Sequence, residues 1–131
     1  MPVVDASVLV NALVSAGQPG ALARAELREL TTLSVPSAFM AEVVSALRSV
    51  ERRGELSPGR AAAVVRRARA VRTIQYPFEP FAERIWELRF NLSVYDAWYV
   101  ALAEWLVTRL VTADRSIAAA PGLRCDVRFL G

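Results

Sequence analysis

The stretch Met1-Pro-Val-Val-Asp5-Ala-Ser-Val-Leu-Val10 runs from a short apolar segment through one acid into residues that suit a helix. Leu110-Val-Thr112-Ala-Asp114-Arg115 repeats that order near the other end of the chain. Val3 and Val4 read as a buried strand, with a helix over residues 6–15. Residues 110–112 read as a fourth strand, with a short helix over 115–120. Working inward, Gly17-Gln-Pro-Gly20 reads as a break before a helix over 21–30, and residues 32–35 as a strand stopped by Pro36. Ser37 is placed to cap a helix reaching Arg53, in which Phe39, Val43, Leu47 and Val50 recur at helical spacing. Gly54 and Ser57-Pro-Gly form the next turn. A helix over 60–72, a strand over 73–76 stopped by proline, helices over 79–91 and 94–107, and an edge strand over 127–130 complete the pattern. Strands alternating with helices imply an α/β fold with a mostly parallel sheet of four or five strands, covered on both faces.

Composition sets limits on function. The chain has 131 residues and is 54% hydrophobic, which suits one domain over residues 1–131; a domain of this size buries roughly two thirds of its unfolded surface. Asp96, Glu104 and Arg109 interrupt its longest apolar stretch, so no membrane span is expected. No basic leader is visible, and the single cysteine, Cys125, rules out an internal disulfide. A cytoplasmic protein is the expectation. The formal charge is +3, and all sixteen basic residues are arginine. Arg66, Arg67, Arg69 and Arg72 fall on one helix and Arg48, Arg52 and Arg53 on another. They read either as phosphate contacts or as solvated helix faces.

The chain contains no histidine. Imidazole-based triads and histidine acid–base ribonuclease chemistry are therefore excluded, and no lysine or glycine-rich loop suggests nucleotide binding. Four acids stand out instead. Asp5 and Asp114 follow strands one and four, Glu42 lies just over a turn into the helix after strand two, and Asp96 opens the helix leading to strand four. Taken singly, Asp5 and Asp114 suit N-caps, Asp96 stands at capping-box spacing from Ser93, and Glu42 suits a surface helix. Taken together, they fall on the rim where strands end and helices begin, where ligands bind in open α/β sheets. Clustered carboxylates raise one another's pKa. A hard divalent cation resolves that conflict, which points to metal-assisted phosphodiester hydrolysis.

At these residues the sequence resembles the PIN-domain family, and within it the VapC-type toxins of bacterial toxin–antitoxin pairs. The matching segments are Val3-Val-Asp5-Ala-Ser-Val-Leu-Val10, Glu42-Val-Val-Ser-Ala-Leu47-Arg48, Tyr95-Asp96-Ala-Trp-Tyr-Val-Ala-Leu-Ala-Glu104 and Leu110-Val-Thr112-Ala-Asp114-Arg115, in the family's order across the chain. The resemblance implies a three-layer α/β/α sandwich and an Mg²⁺- or Mn²⁺-dependent endoribonuclease. Asp5, Glu42, Asp96 and Asp114 would hold the metal and be catalytic, and Ser7 and Thr112 would support them by hydrogen bonding. It also implies an RNA substrate, a cognate antitoxin and a homodimer; Arg48, Arg72 and Arg115 are candidate RNA or antitoxin contacts. Two positions depart from the pattern. Ser45 stands where asparagine is frequent, and Ser116 where some members carry another acid, which implies one held ion with a second arriving with substrate. A PIN-type nuclease outside toxin–antitoxin systems and a catalytically weak binding scaffold are the alternative readings. Trp86, Trp98, Tyr99 and Trp105 are expected in the core or at a dimer interface.

Overall fold

The computed structural model describes residues 1–131. Its elements are β1 (Val3–Val4), α1 (Ala6–Val14), α2 (Gln18–Arg28), β2 (Leu33–Pro36), α3 (Phe39–Arg52), α4 (Pro58–Arg69), β3 (Thr73–Tyr76), a 3₁₀ turn (Glu79–Phe81), α5 (Ala82–Glu87), α6 (Val94–Leu106), β4 (Leu110–Thr112), α7 (Arg115–Ala118) and β5 (Val127–Phe129). All five strands are parallel, in the order β3-β2-β1-β4-β5. From β1 the chain steps to β2 and then β3; it then crosses back over to β4 and moves outward to β5. Right-handed crossovers place the helices of these two progressions on opposite faces. Accordingly α1, α2, α3 and α4 pack with one another, whereas α5, the 3₁₀ turn and α6 form the other layer. The result is the expected α/β/α sandwich.

β1 and β4 are neighbours whose following helices leave in opposite directions. Between their C-terminal ends lies the topological switch point, where a crevice must open. The strands at that point are apolar on both faces up to the buried Thr112 that ends β4: Val3, Val4, Leu110 and Val111 are inaccessible to solvent. On the α6 side the whole run from Ala97 to Ala103 is buried, as expected for a helix that is apolar all round. The Phe39/Val43/Leu47/Val50 stripe of α3 is buried as its spacing predicts.

Several boundaries differ from the sequence expectation for identifiable reasons. α2 begins at Gln18, not residue 21, because Pro19 occupies its first turn and Gly17 its N-cap, where the missing N–H of proline costs nothing. Gly20 thus lies inside the helix, and a Cβ there would collide with the Ser15 carbonyl oxygen. Pro36 is the last residue of β2, paired with Tyr76, and Ser37 makes no cap: its backbone N–H donates to Tyr76 O, and α3 starts without a side-chain cap. The helix expected over 79–91 divides into the 3₁₀ turn and α5. The chain then turns so that Leu88 and Leu92 bury and Asn91 Nδ2 donates to Pro121 O at 3.1 Å. No single helix is long and apolar enough to cross a membrane.

Candidate active site

Asp5 leaves β1 with its backbone still in the sheet, its N–H donating to Val111 O at 2.9 Å. Its backbone occupies the N-cap position of α1, but its side chain makes no cap bond. Instead Oδ2 accepts from Ser7 Oγ at 2.7 Å and from Thr112 Oγ1 at 2.9 Å. Those two hydroxyl oxygens are themselves acceptors, from the backbone N–H of Ala113 at 3.1 Å and of Asp114 at 3.0 Å. A hydroxyl has one proton, so each backbone donor leaves its hydroxyl proton committed to Asp5. The β4–α7 turn is thereby tied to the β1–α1 turn through one carboxylate oxygen, and Oδ1 takes no hydroxyl.

The other three acids are anchored differently. Glu42, half-buried on α3, accepts from the Tyr99 hydroxyl of α6 at Oε1, 2.8 Å away. Asp96 stands in the first turn of α6, whose N-cap is Ser93, with Oγ accepting from the Asp96 N–H at 3.1 Å. Asp114 does behave as a cap, its Oδ1 accepting from both the N–H and the hydroxyl of Ser116, at 2.8 and 2.7 Å. Ser116, one of the two departures noted above, thus fixes the orientation of Asp114. Ser45, the other, is exposed on α3.

The four charges act on one another. Burial pushes the Asp5 carboxyl above its ordinary value, the Ser7 and Thr112 bonds oppose that rise, and the Asp114 charge adds to it. Glu42 is raised by burial and by Asp5 and Asp96, against the Tyr99 bond. Asp96 is raised by burial and then by Asp5 and Asp114. Asp5 is the common member of these couplings and, at 5% exposure, the most enclosed. None of the ion pairs in the molecule includes any of the four; they engage Glu26, Glu55, Glu87 and Glu104. The group is an uncompensated negative centre at the switch point.

Such a donor set fits a hard divalent cation: it is oxygen only, and its charges lack internal counterions. As the side chains stand, no three of them are close enough together to hold one ion.

Comparison with known proteins identifies the family. Residues 3–123 match the model of the PIN domain. The chain belongs to the PIN-domain family. Its relatives place it in the VapC branch: it is 39% identical over 127 residues to VapC ribonuclease Mb0985 of Mycobacterium bovis, covering 97% of this chain and 96% of that protein. It is 38% identical over 129 residues to Ribonuclease VapC1 of Mycobacterium tuberculosis, covering 98% and 96%, and 32% identical to Ribonuclease VapC12 of the same species, covering 99% of each. The structure of FitAB bound to an IR36 DNA fragment superposes with a TM-score of 0.68 over 99% of this chain and 95% of that one. At 17% identity that likeness concerns the fold.

Other features of this PIN domain were not legible in advance. The Tyr99–Glu42 bond is one; the only sequence signal for it is a phenol in an otherwise apolar buried run, since a buried tyrosine hydroxyl needs a partner. Glu26 is another. It is buried on α2 and receives Arg109 at 3.0 Å and Arg128 at 2.9 Å, clamping that helix to β4 and β5. Trp98 and Tyr99 are in the core as expected, but Trp86 and Trp105 are 63% and 64% exposed. The candidate contact arginines are scattered. Arg115 follows Asp114 directly, its guanidinium 5.3 Å above the Phe129 ring. Arg48 lines a groove between α3 and α4. Arg72 immediately precedes β3 and so lies at the opposite edge of the sheet from the acids. Cys125 is half-buried, and burial pushes its thiol up to about 11, which makes it an unreactive packing residue.

Proposed function

We propose that this protein is a divalent-metal-dependent endoribonuclease, the toxin of a toxin–antitoxin pair, acting in the cytoplasm. The observation that carries the catalytic reading is the uncompensated carboxylate centre around Asp5 at the switch point between β1 and β4. Asp5, Glu42, Asp96 and Asp114 would hold Mg²⁺ or Mn²⁺. The bound ion would lower the pKa of water and polarise the scissile phosphate. The names of the relatives, all ribonucleases, support RNA as the substrate.

The chain's own groups have separate tasks in this mechanism. Ser7 and Thr112 keep their protons on Asp5 Oδ2 and so leave Oδ1 free of hydroxyl donors, available to an ion. Ser116 holds Asp114 through Oδ1, leaving its other oxygen available. Arg115, beside Asp114, would bind a substrate phosphate; Arg48 and Arg72 would contact RNA or antitoxin away from the acids. With no imidazole present, proton transfers fall to water and carboxylates. Hydrolysis by water should leave 5′-phosphate and 3′-hydroxyl ends, whereas 2′,3′-cyclic phosphates would mean attack by the RNA's own hydroxyl.

The antitoxin and homodimer form part of the same proposal. A groove of about 430 Å³ between α1, α2 and α4 has an apolar floor of Leu9, Ala12, Leu13 and Leu27 and a rim of Arg24, Arg28 and Arg67, which suits an acidic amphipathic segment. Trp86 and Trp105 offer apolar area for a second copy. The deciding experiment is RNA cleavage by purified protein with Mg²⁺ or Mn²⁺, followed by sequencing of product ends. Cleavage that persists after chelation, or in Asp5→Asn and Asp96→Asn proteins, would overturn the mechanism.

A further inference from the structure

The geometry points to Tyr99 as a positioning residue: its hydroxyl holds the Glu42 carboxylate in the orientation that divalent-metal binding requires. This rests on the metal-site reading of the four acids.

Tyr99 is inaccessible to solvent and lies in the middle of the buried run from Ala97 to Ala103. Phenylalanine would fill the same space. The phenol oxygen places a polar atom in that layer, a cost that structures tolerate only where the atom has a partner. Its partner is Glu42 Oε1 at 2.8 Å, on a helix 57 residues earlier in the chain. The bond therefore joins two elements: α6, which carries Asp96 one turn before Tyr99, and α3, which carries Glu42.

This arrangement answers a specific difficulty. Asp5 and Asp114 are short side chains fixed by hydroxyls, Asp5 by Ser7 of its own turn and Thr112 of β4, Asp114 by Ser116 of its own turn. Glu42 has three rotatable torsions, forms no ion pair and takes no hydrogen bond from a side chain of its own helix, Ser45 one turn on included; its side-chain partner is Tyr99 alone. Donation to Oε1 fixes the carboxylate while leaving Oε2 for an ion. A ligand held in place beforehand needs less ordering on binding, and partners that orient metal ligands typically contribute 10–100-fold to affinity or activity. Because Tyr99 and Asp96 share a helix face three residues apart, the same bond sets the register between Glu42 and Asp96 across two layers.

The test is Tyr99→Phe in the full chain, which keeps the ring and hence the core volume. Mn²⁺ binding is measured by calorimetry, with melting temperature in chelator and RNA cleavage alongside. The expected result is Mn²⁺ affinity reduced by about tenfold, a smaller melting-temperature rise on adding Mn²⁺, and a lower kcat with unchanged KM for RNA. In a Glu42→Gln background, Tyr99→Phe should cost no further Mn²⁺ affinity, since the effect runs through that carboxylate. Wild-type Mn²⁺ affinity in Tyr99→Phe, with only the metal-free melting temperature lowered, would make the hydroxyl structural and overturn the inference; so would an equal additional loss in the Glu42→Gln background. Asp5→Asn separates the two levels. If it binds Mn²⁺ like wild type, the metal-site reading itself fails and this inference with it. If it loses binding while Tyr99→Phe keeps it, only the role of Tyr99 is refuted.

Discussion

Asp5→Asn should make this protein inactive and, without metal, more stable. The two hydroxyls that donate to Oδ2 can donate equally to the asparagine carbonyl, and the amide replaces the oxygen that takes no hydroxyl. What changes is the charge. Two charge-assisted hydrogen bonds become neutral ones, a loss of roughly 1–3 kcal/mol in all. Against that, burial and the Asp114 charge oppose ionisation strongly enough that the carboxyl's pKa is raised in spite of both bonds. The charged form is therefore a net burden on the folded state at neutral pH. Removing it should yield about 1–2 kcal/mol, the scale on which relaxing a functional site stabilises a protein, or about 4–8 °C in melting temperature for a chain of this length.

The sign with pH follows by linkage. A carboxyl whose folded pKa lies above its unfolded value contributes its full stability below the unfolded value, and that contribution is lost as pH rises through the folded one. Glu42 and Asp96 shift in the same direction. Wild type should therefore lose stability from pH 4 toward pH 8, and the advantage of Asp5→Asn should grow over that range. Saturating Mn²⁺ should reverse the order by stabilising wild type alone, by roughly 2.7 kcal/mol at a hundredfold excess over Kd. Calorimetric melts in chelator at pH 4 and pH 7.5 are the assay. A variant that melts at or below wild type at pH 7.5, or gains equally at both pH values, would refute this account of Asp5.

Three further outcomes concern the scaffold. Val107 ends α6 in the left-handed region, φ 53° and ψ 52°, and is 91% exposed; Val107→Asn should raise stability by about 1 kcal/mol in denaturant titrations, because a β-branched residue is strained there and loses no packing on leaving. Glu104→Gln should cost about 2–3 kcal/mol at pH 7. Its carboxylate accepts from Arg84 at 2.7 and 3.0 Å and from the Arg124 N–H at 2.8 Å, and the pair is enclosed enough for a lost partner to matter. Burial opposes the Glu104 charge, but these bonds outweigh it and hold the carboxyl below its usual range, so the penalty should shrink as pH falls through that lowered value. Gly20→Ala should lower stability by about 1–3 kcal/mol, since the new methyl meets the Ser15 carbonyl and pushes α2 off α1; equal melting temperatures would show that the α1–α2 corner yields freely.

How much of this was legible beforehand depends on the range of the interaction. Strand three was read to the residue, because Thr73–Tyr76 is bounded by a helix end and a proline, both local signals. The Ser93 cap likewise follows from neighbouring residues, whereas Ser57, read as part of a turn, caps α4, which starts at Pro58, two residues before the expected 60. Ser37 looked equally suited to capping, yet its N–H is drawn into the ladder with Tyr76, a contact nearly forty residues away. Asp5 also looked like a cap. Its side chain turns to Thr112 instead, a partner that only the pairing of β1 with β4 brings alongside.

The sequence by itself determined the α/β class, the family and the identity of the four acids. Periodicity, chain breaks and the order of motifs are properties of residues near one another in the chain. Only the tertiary structure decided that Asp5 is the common, most enclosed member of the acid group, that Ser116 holds Asp114, and that a buried phenol restrains Glu42. Those facts depend on which strands pair and which helices meet across the sheet. Burial and repulsion between distant carboxylates have no signature along the chain until folding removes the water between them.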